Sequence, residues 1–145
     1  MENSLELGHK ALQLWNSEAM SSAPMGLKIW LAILGVTLLS SLFFIKSSNP
    51  SRILLIGFIS SLSVTKWLAP AVGIETLSGF VGLCHLLFWS PGWVLLIREK
   101  LKPNNESKRK VYLAWSWIAI TVISISYFFD LRDGFTYLSF ILSKV

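Results

Sequence analysis

The sequence is short of the side chains from which soluble proteins build disulfides, metal sites and active sites. Its 145 residues include one cysteine and two histidines, and charged residues make up 14%, against about 25% in a typical soluble domain. The lone cysteine, Cys84, excludes an intrachain disulfide. A P-loop, a dinucleotide-binding glycine motif, a GxSxG elbow, an HExxH zinc motif and a CxxC pair are all missing. We therefore do not expect an enzyme of a common class.

Apolar residues are abundant instead. They account for 53% of the chain, and the mean hydropathy is +0.59. Four apolar runs lie near residues 26–45, 53–68, 80–97 and 111–129, and a helix of about 20 such residues crosses a ~30 Å hydrocarbon core. The pattern predicts an all-α integral membrane protein. We expect a four-transmembrane-helix antiparallel bundle with interfacial segments at the N- and C-termini, inserted in the lipid bilayer.

The division of the chain follows from these runs. We predict an amphipathic interfacial segment over residues 1–24, a four-helix transmembrane domain over 25–130 and a short interfacial or re-entrant tail over 131–145. The first segment places Leu5, Leu12 and Trp15 on one helical stripe, which indicates an amphipathic helix at the membrane surface. A disordered tail is the alternative. The last segment is too short to span a bilayer.

Basic residues predict the orientation. Of the 13 lysines and arginines, eight fall on the side of the first link and of loop 98–110, and five fall on the opposite side. The positive-inside rule makes loop 98–110 cytoplasmic and puts both termini on the non-cytoplasmic side, in a bacterial inner membrane. Because the net charge of +5 is explained by topology and no basic patch is interleaved with aromatic residues, we predict no nucleic-acid partner.

The stretch 78–100 carries the clearest signal for helix packing. Small or polar residues recur at helical spacing, and small residues allow helices to approach closely in lipid. This stripe should therefore face protein rather than lipid. Pro91, within the same helix, cannot donate to the carbonyl of Leu87 and should produce a kink. The predicted helix-packing residues are Gly79, Gly82, Gly92 and Pro91.

Polar groups inside the apolar runs are the functional candidates, because they are costly in a membrane. For His85 two hypotheses stay open, an interhelical hydrogen bond of a neutral imidazole and a proton-relay or pore-lining role. Lys66 either extends to the interface or is a buried functional group. Asp130 lies beside Arg132 and Asp133, a group that caps a helix or selects cations at a pore mouth. The full set of pore or polar intramembrane candidates is His85, Ser60, Ser63, Lys66 and Asp130.

Few residues are available for a metal or a cofactor. Cys84 and His85 are neighbours, so their side chains diverge by about 100° on a helix and cannot easily bind one ion. We predict no metal site and no cofactor. A haem ligated by His85 and His9 is the alternative, and it requires the amphipathic segment to approach the third helix.

Three function hypotheses fit this layout. The first is a homo-oligomeric channel or transporter for ions or small solutes, since four short helices enclose little interior and self-association would create a pathway. The second is an accessory or assembly subunit that docks on a larger membrane protein complex through the glycine stripe. The third is a haem or redox membrane protein.

The orientation can be tested by accessibility. We expect membrane-impermeant thiol reagents to label an engineered cysteine at Ser4 or Ser143 from outside the cell. A cysteine at Asn104 should be labelled only after the membrane is permeabilised. The opposite pattern would place the basic loop outside.

Overall fold

The regular elements of the chain are helices, as seen in a computed structural model that describes residues 12–102 and 110–143. Four of the helices are long and apolar enough to cross a membrane. This confirms the predicted all-helical fold for the described residues, while insertion in a bilayer stays a prediction. The helices are α1 Ser17–Ser22, α2 Met25–Phe44, α3 Asn49–Ala71, α4 Ser78–Lys100 and α5 Lys110–Leu142.

Local sequence explains where the helices begin and change. Helix α3 begins after Ser48, whose hydroxyl accepts a bond from the Ser51 amide at 3.3 Å, and Pro50 suits the first turn. The last turn of α2, Ser40–Phe44, is a 3₁₀ helix, and Val64–Leu68 of α3 is π-helical. The connection to α4 turns at Gly73, whose φ of 76° favours glycine.

Helix α4 lies at the centre and packs against α3 on one side and α5 on the other, while α2 contacts α3 and α5. The core is formed by apolar and aromatic side chains of all four long helices. Its largest fully buried side chain is Trp89 of α4, which is 1% exposed. The other core residues are Leu34, Leu38, Leu54, Leu96, Tyr112, Trp115, Ala119, Val122, Ile123 and Tyr127.

Glycines bring the central backbones together. A methyl group on Gly92 would lie 2.8 Å from the Cα of Leu54, and one on Gly57 would overlap the Phe88 carbonyl oxygen. Between α4 and α5, a methyl on Gly82 would lie 3.2 Å from the Asp130 carbonyl oxygen. No larger residue fits at Gly57 or Gly92 without moving a helix.

Helices α2 and α5 are fastened at one end. The Trp115 indole donates to the Ser40 hydroxyl at 2.8 Å, and the hydroxyls of Ser48 and Tyr112 lie 2.6 Å apart. The Phe44 ring packs against Tyr112 and Trp115, with centroids 5.3 and 4.9 Å away. This aromatic cluster closes the bundle at the end nearest the predicted cytoplasmic loop.

Both terminal segments differ from expectation in their secondary structure. The boundary expected after residue 130 is not a helix end, because α5 continues to Leu142 and its Gly134 packs against Leu83 of α4. Residues 12–24 do not form one amphipathic helix. Their helix is confined to Ser17–Ser22, since the backbone at 13–15 pairs with the α3–α4 connection instead. The expectation for residues 1–11 lies outside the described residues, and an interfacial location of either segment stays a prediction.

A glycine-to-alanine pair tests the close packing. We expect Gly92→Ala to lower the free energy of unfolding by about 1–3 kcal/mol, because the added methyl meets the Leu54 backbone. Gly35→Ala is the matched control, since nothing lies within 4 Å of a methyl there. It should leave stability unchanged or raise it by up to about 1 kcal/mol. Equal melting temperatures of the two variants in detergent would contradict this packing.

Candidate functional site

His85 of α4 and Asp130 of α5 are in hydrogen-bonding contact between the two helices. The imidazole Nδ1 lies 3.3 and 3.4 Å from the two carboxylate oxygens, and the Ser126 hydroxyl donates to Oδ2 at 3.1 Å. The side chains of His85 and Asp130 are 16% and 15% exposed. Gly82 lies one turn before His85 and allows the α4 backbone to approach Asp130. The close helix approach therefore brings the two side chains together.

The imidazole is also held from its other side. Its ring stacks on Trp89, with centroids 3.9 Å apart and planes 18° from parallel. The Trp89 indole donates to the Ser61 hydroxyl of α3 at 3.1 Å, and that hydroxyl donates to the Phe58 carbonyl at 2.9 Å. A continuous series of polar and aromatic contacts thus runs from α3 through His85 to α5. It fixes the position of the imidazole, as interhelical polar contacts do in membrane bundles.

The pair lines a cavity of about 670 Å³ between α2, α4, α5 and the N-terminal segment. This volume falls within the range of about 300–1,000 Å³ for small-molecule sites. The cavity lies at the end of α2 opposite the aromatic cluster. Its α2 wall includes Leu27, Trp30, Leu31 and Leu34, and its N-terminal wall includes Trp15 and Met20.

The N-terminal segment is tied across this end by backbone hydrogen bonds. The Trp15 amide donates to the Thr76 carbonyl at 2.8 Å, and the Ser78 amide donates to the Gln13 carbonyl at 2.9 Å. The Lys28 ammonium donates to the Ser21 carbonyl at 2.8 Å. These bonds place Trp15 beside the start of α4, so one wall of the cavity depends on a segment outside the four long helices.

The carboxylates of the cavity outnumber its guanidinium groups. Its lining contains two carboxylates, Asp130 and Asp133, and one guanidinium, Arg132. The guanidinium lies 2.9 Å from Asp133 and its side chain is 57% exposed. Within the described part of the chain, the partners of Asp130 are His85 and Ser126. The cavity therefore carries a net negative charge whenever the imidazole is neutral.

The remaining polar candidates lie elsewhere. The Ser63 hydroxyl donates to the Ile59 carbonyl of its own helix at 2.9 Å, and Lys66 is exposed on α3. Neither these two nor Ser60 line the cavity. The structure thus brings together His85 and Asp130 and leaves the α3 candidates apart. Sequence reasoning missed Ser126, although its position one helical turn before Asp130 was a usable signal.

The predicted packing residues fall on two sides of α4. Gly82 is buried against α5 and Gly92 against α3. Gly79 is also buried, whereas Pro91 is exposed. The Leu87 carbonyl is the one to which Pro91 cannot donate, and the Ser90 hydroxyl donates to the Leu86 carbonyl instead. Because it is exposed, Pro91 lies inside a continuous α4 without contributing to the central interface.

The absence of a metal and of a cofactor stays a prediction. Residues 12–102 and 110–143 contain no group of three His, Cys, Asp or Glu side chains that could hold a metal ion. His9, the second ligand of the haem hypothesis, lies outside the described residues. Imidazole and carboxylate in contact are instead suited to binding and passing a proton.

The chain matches no protein-family model, no curated protein and no solved structure. The cavity and its side chains are therefore the basis for inferring function.

A substitution series tests how His85 and Asp130 depend on each other. We expect His85→Leu to lower the free energy of unfolding by roughly 0.6–2 kcal/mol, because it removes the interhelical bond. His85→Gln should cost less, since the amide can still donate to Asp130. In a double-mutant cycle, the cost of His85→Leu should shrink when Asp130→Asn is already present. Purely additive losses in thermal or denaturant unfolding would show that the two side chains do not interact.

Proposed function

We propose that the protein is a small membrane transport protein, a channel or transporter in which a solute enters the cavity and a proton binds at the His85–Asp130 pair. The observation that carries the proposal is the location of this histidine–carboxylate pair within a cavity between apolar helices. Ionisable groups between apolar helices are costly and usually serve ion or proton pathways.

The position of the pair along its helices supports this function. His85 lies seven residues after the start of α4, about 10 Å along the helix. Asp130 lies twenty residues after the start of α5, about 30 Å along it, and α5 continues for twelve more. Neither side chain is at a helix end, where capping would explain it. In the predicted bilayer, the apolar run 111–129 already crosses the hydrocarbon core, so the pair lies in the non-cytoplasmic half of the bundle.

The chemistry of the pair also suits proton exchange. An imidazole can bind and release a proton, and the Asp130 carboxylate lies 3.3 Å from it. A solute that competes with the protonated imidazole for the Asp130 carboxylate would displace the proton, so the solute and the proton would be exchanged. The aromatic cluster of Phe44, Tyr112 and Trp115 closes the opposite end of α2 and α5. Passage across the membrane would therefore need a second conformation or a second protomer, as in the predicted homo-oligomer.

Proton movement in liposomes tests the proposal. Purified protein is reconstituted in vesicles that contain a pH-sensitive dye, and a pH gradient is imposed with the membrane potential clamped by potassium and valinomycin. One set of vesicles holds buffer, and a second set also holds the small-molecule fraction of a cell lysate, which supplies unknown solutes. We expect protein-dependent proton flux in at least one set, and its loss in His85→Gln and Asp130→Asn.

Glu75→Gln is the control, because Glu75 is exposed and lies outside the cavity. It should retain the flux of the unmodified protein. Flux equal to that of empty vesicles in both sets, or flux unchanged in both pair variants, would overturn the proposal. The accessory-subunit hypothesis would then be the next to test, by isolating the protein from native membranes with its partners.

A further inference from the structure

We infer that the solute of this cavity is a monovalent organic cation, an ammonium or related onium group attached to an apolar body, which binds Asp130 when His85 is neutral. The inference rests on the proposed transport function and adds the chemical class of the solute. Three features of the described residues support it: the charge of the cavity, the character of its walls and the position of the imidazole.

The charge of the cavity favours a cation over an anion. Arg132, its guanidinium, is already paired with Asp133 at 2.9 Å and is more than half exposed. Asp130 is more buried and has only an imidazole and a hydroxyl as its described partners. An anion would meet an unneutralised carboxylate, whereas a single positive charge would balance it. A buried carboxylate is stabilised by such a partner because the surroundings screen charge poorly.

The walls favour an organic cation over a small hydrated ion. Apolar side chains form more than half of the lining, and the indoles of Trp15 and Trp30 lie on the N-terminal and α2 walls. An indole face attracts an ammonium or other onium ion, and most strongly where water is excluded. A metal cation needs several oxygen ligands, and the described residues contain no group of three His, Cys, Asp or Glu side chains that could hold one. A volume of about 670 Å³ also exceeds the need of a small ion.

Because of the imidazole, binding of a proton at His85 competes with binding of the organic cation at Asp130. Once protonated, His85 itself becomes the positive partner of Asp130, and a second cation is then repelled. Other charged or titratable groups also lie near His85. Helix α5 contributes Asp130, Arg132 and Asp133 to the cavity, and its Tyr127 hydroxyl lies 3.3 Å from Ser90 of α4. Cys84 is the adjacent titratable group on α4. Lys66 of α3 is exposed, and Lys28 of α2 binds the Ser21 carbonyl.

Binding of tetraphenylphosphonium tests the inference, with tetraphenylborate as a probe of the same shape and opposite charge. Both are titrated against the purified full-length protein in a neutral maltoside detergent, and binding is followed by calorimetry and by tryptophan fluorescence. We expect the cation to bind and the borate to bind at least about tenfold more weakly. Cation affinity should fall about tenfold or more once the pH is low enough for His85 to carry a proton. This pH dependence should flatten in His85→Gln.

Variants of the acid identify the site. Asp130→Asn should weaken cation binding by about tenfold or more, while Asp130→Glu, which keeps the charge, should retain most of it. Glu75→Gln is the matched control, because Glu75 is an exposed acid outside the cavity lining and should bind as the unmodified protein does. The melting temperature of each variant is measured beside its affinity. If Asp130→Asn fails to fold, Asp130→Glu and the pH dependence of the unmodified protein still decide the question.

The possible outcomes separate this inference from the proposed function. Equal binding of cation and borate, or full cation affinity in folded Asp130→Asn, overturns the inference. Proton flux in vesicles without cation binding overturns the inference and leaves the transport function standing. Absence of both overturns both. Competition of the probe by benzylamine or by a short-chain phosphatidylethanolamine distinguishes a free amine from a lipid headgroup as the source of the ammonium.

Discussion

The structure depends on the close approach of the α4 backbone to both of its neighbours. Gly92 of α4 lies against Leu54 of α3, and Gly82 lies against Asp130 of α5. In the bilayer that the sequence predicts, lipid is as apolar as leucine, so helices are held together by close packing and polar contacts rather than by hydrophobic burial. A methyl group at Gly92 would separate α4 from α3. It would also disturb the contacts through which α3 helps to hold the imidazole.

The close approach of α4 to α3 and α5 makes the polar contacts possible. These contacts fix the axial position of α4 relative to its neighbours. Ser61, Trp89, His85 and Asp130 form a series across α3, α4 and α5 with separations of 3.1 to 3.9 Å between interacting groups. Polar groups excluded from water are costly unless they are paired. Sliding α4 along either neighbour would break these pairs at once. The same contacts that hold the helices therefore also set the position of the titratable pair.

The cavity arises because α2 packs against α5 at one of its ends and is separated from it at the other. Hydroxyl and aromatic contacts around Phe44 fasten it to α5 at one end, while at the other end the N-terminal segment and the cavity lie between the two helices. A bundle closed at both ends would bury Asp130 with His85 alone. The open end gives the pair a space of ligand size, and the wall formed by Trp15 gives that space its aromatic character. The site is thus shared by the helix pair and by the chain that precedes α2.

The sequence alone predicted the class of fold and named both side chains of the candidate site, but not their contact. Apolar runs of helical length predict four long helices whatever their packing, and the glycine stripe identified the side of α4 that meets its neighbours. His85 stood out because an ionisable group within an apolar run is costly. Its partner was named from the sequence as a separate candidate, but only the tertiary structure brought Asp130 to it and left Ser60, Ser63 and Lys66 apart. Periodicity gives the face of each helix but not its register or neighbours, and pairing across helices depends on both. For the same reason, only the tertiary structure showed that α5 continues beyond residue 130 and that residues 13–15 pair with the start of α4.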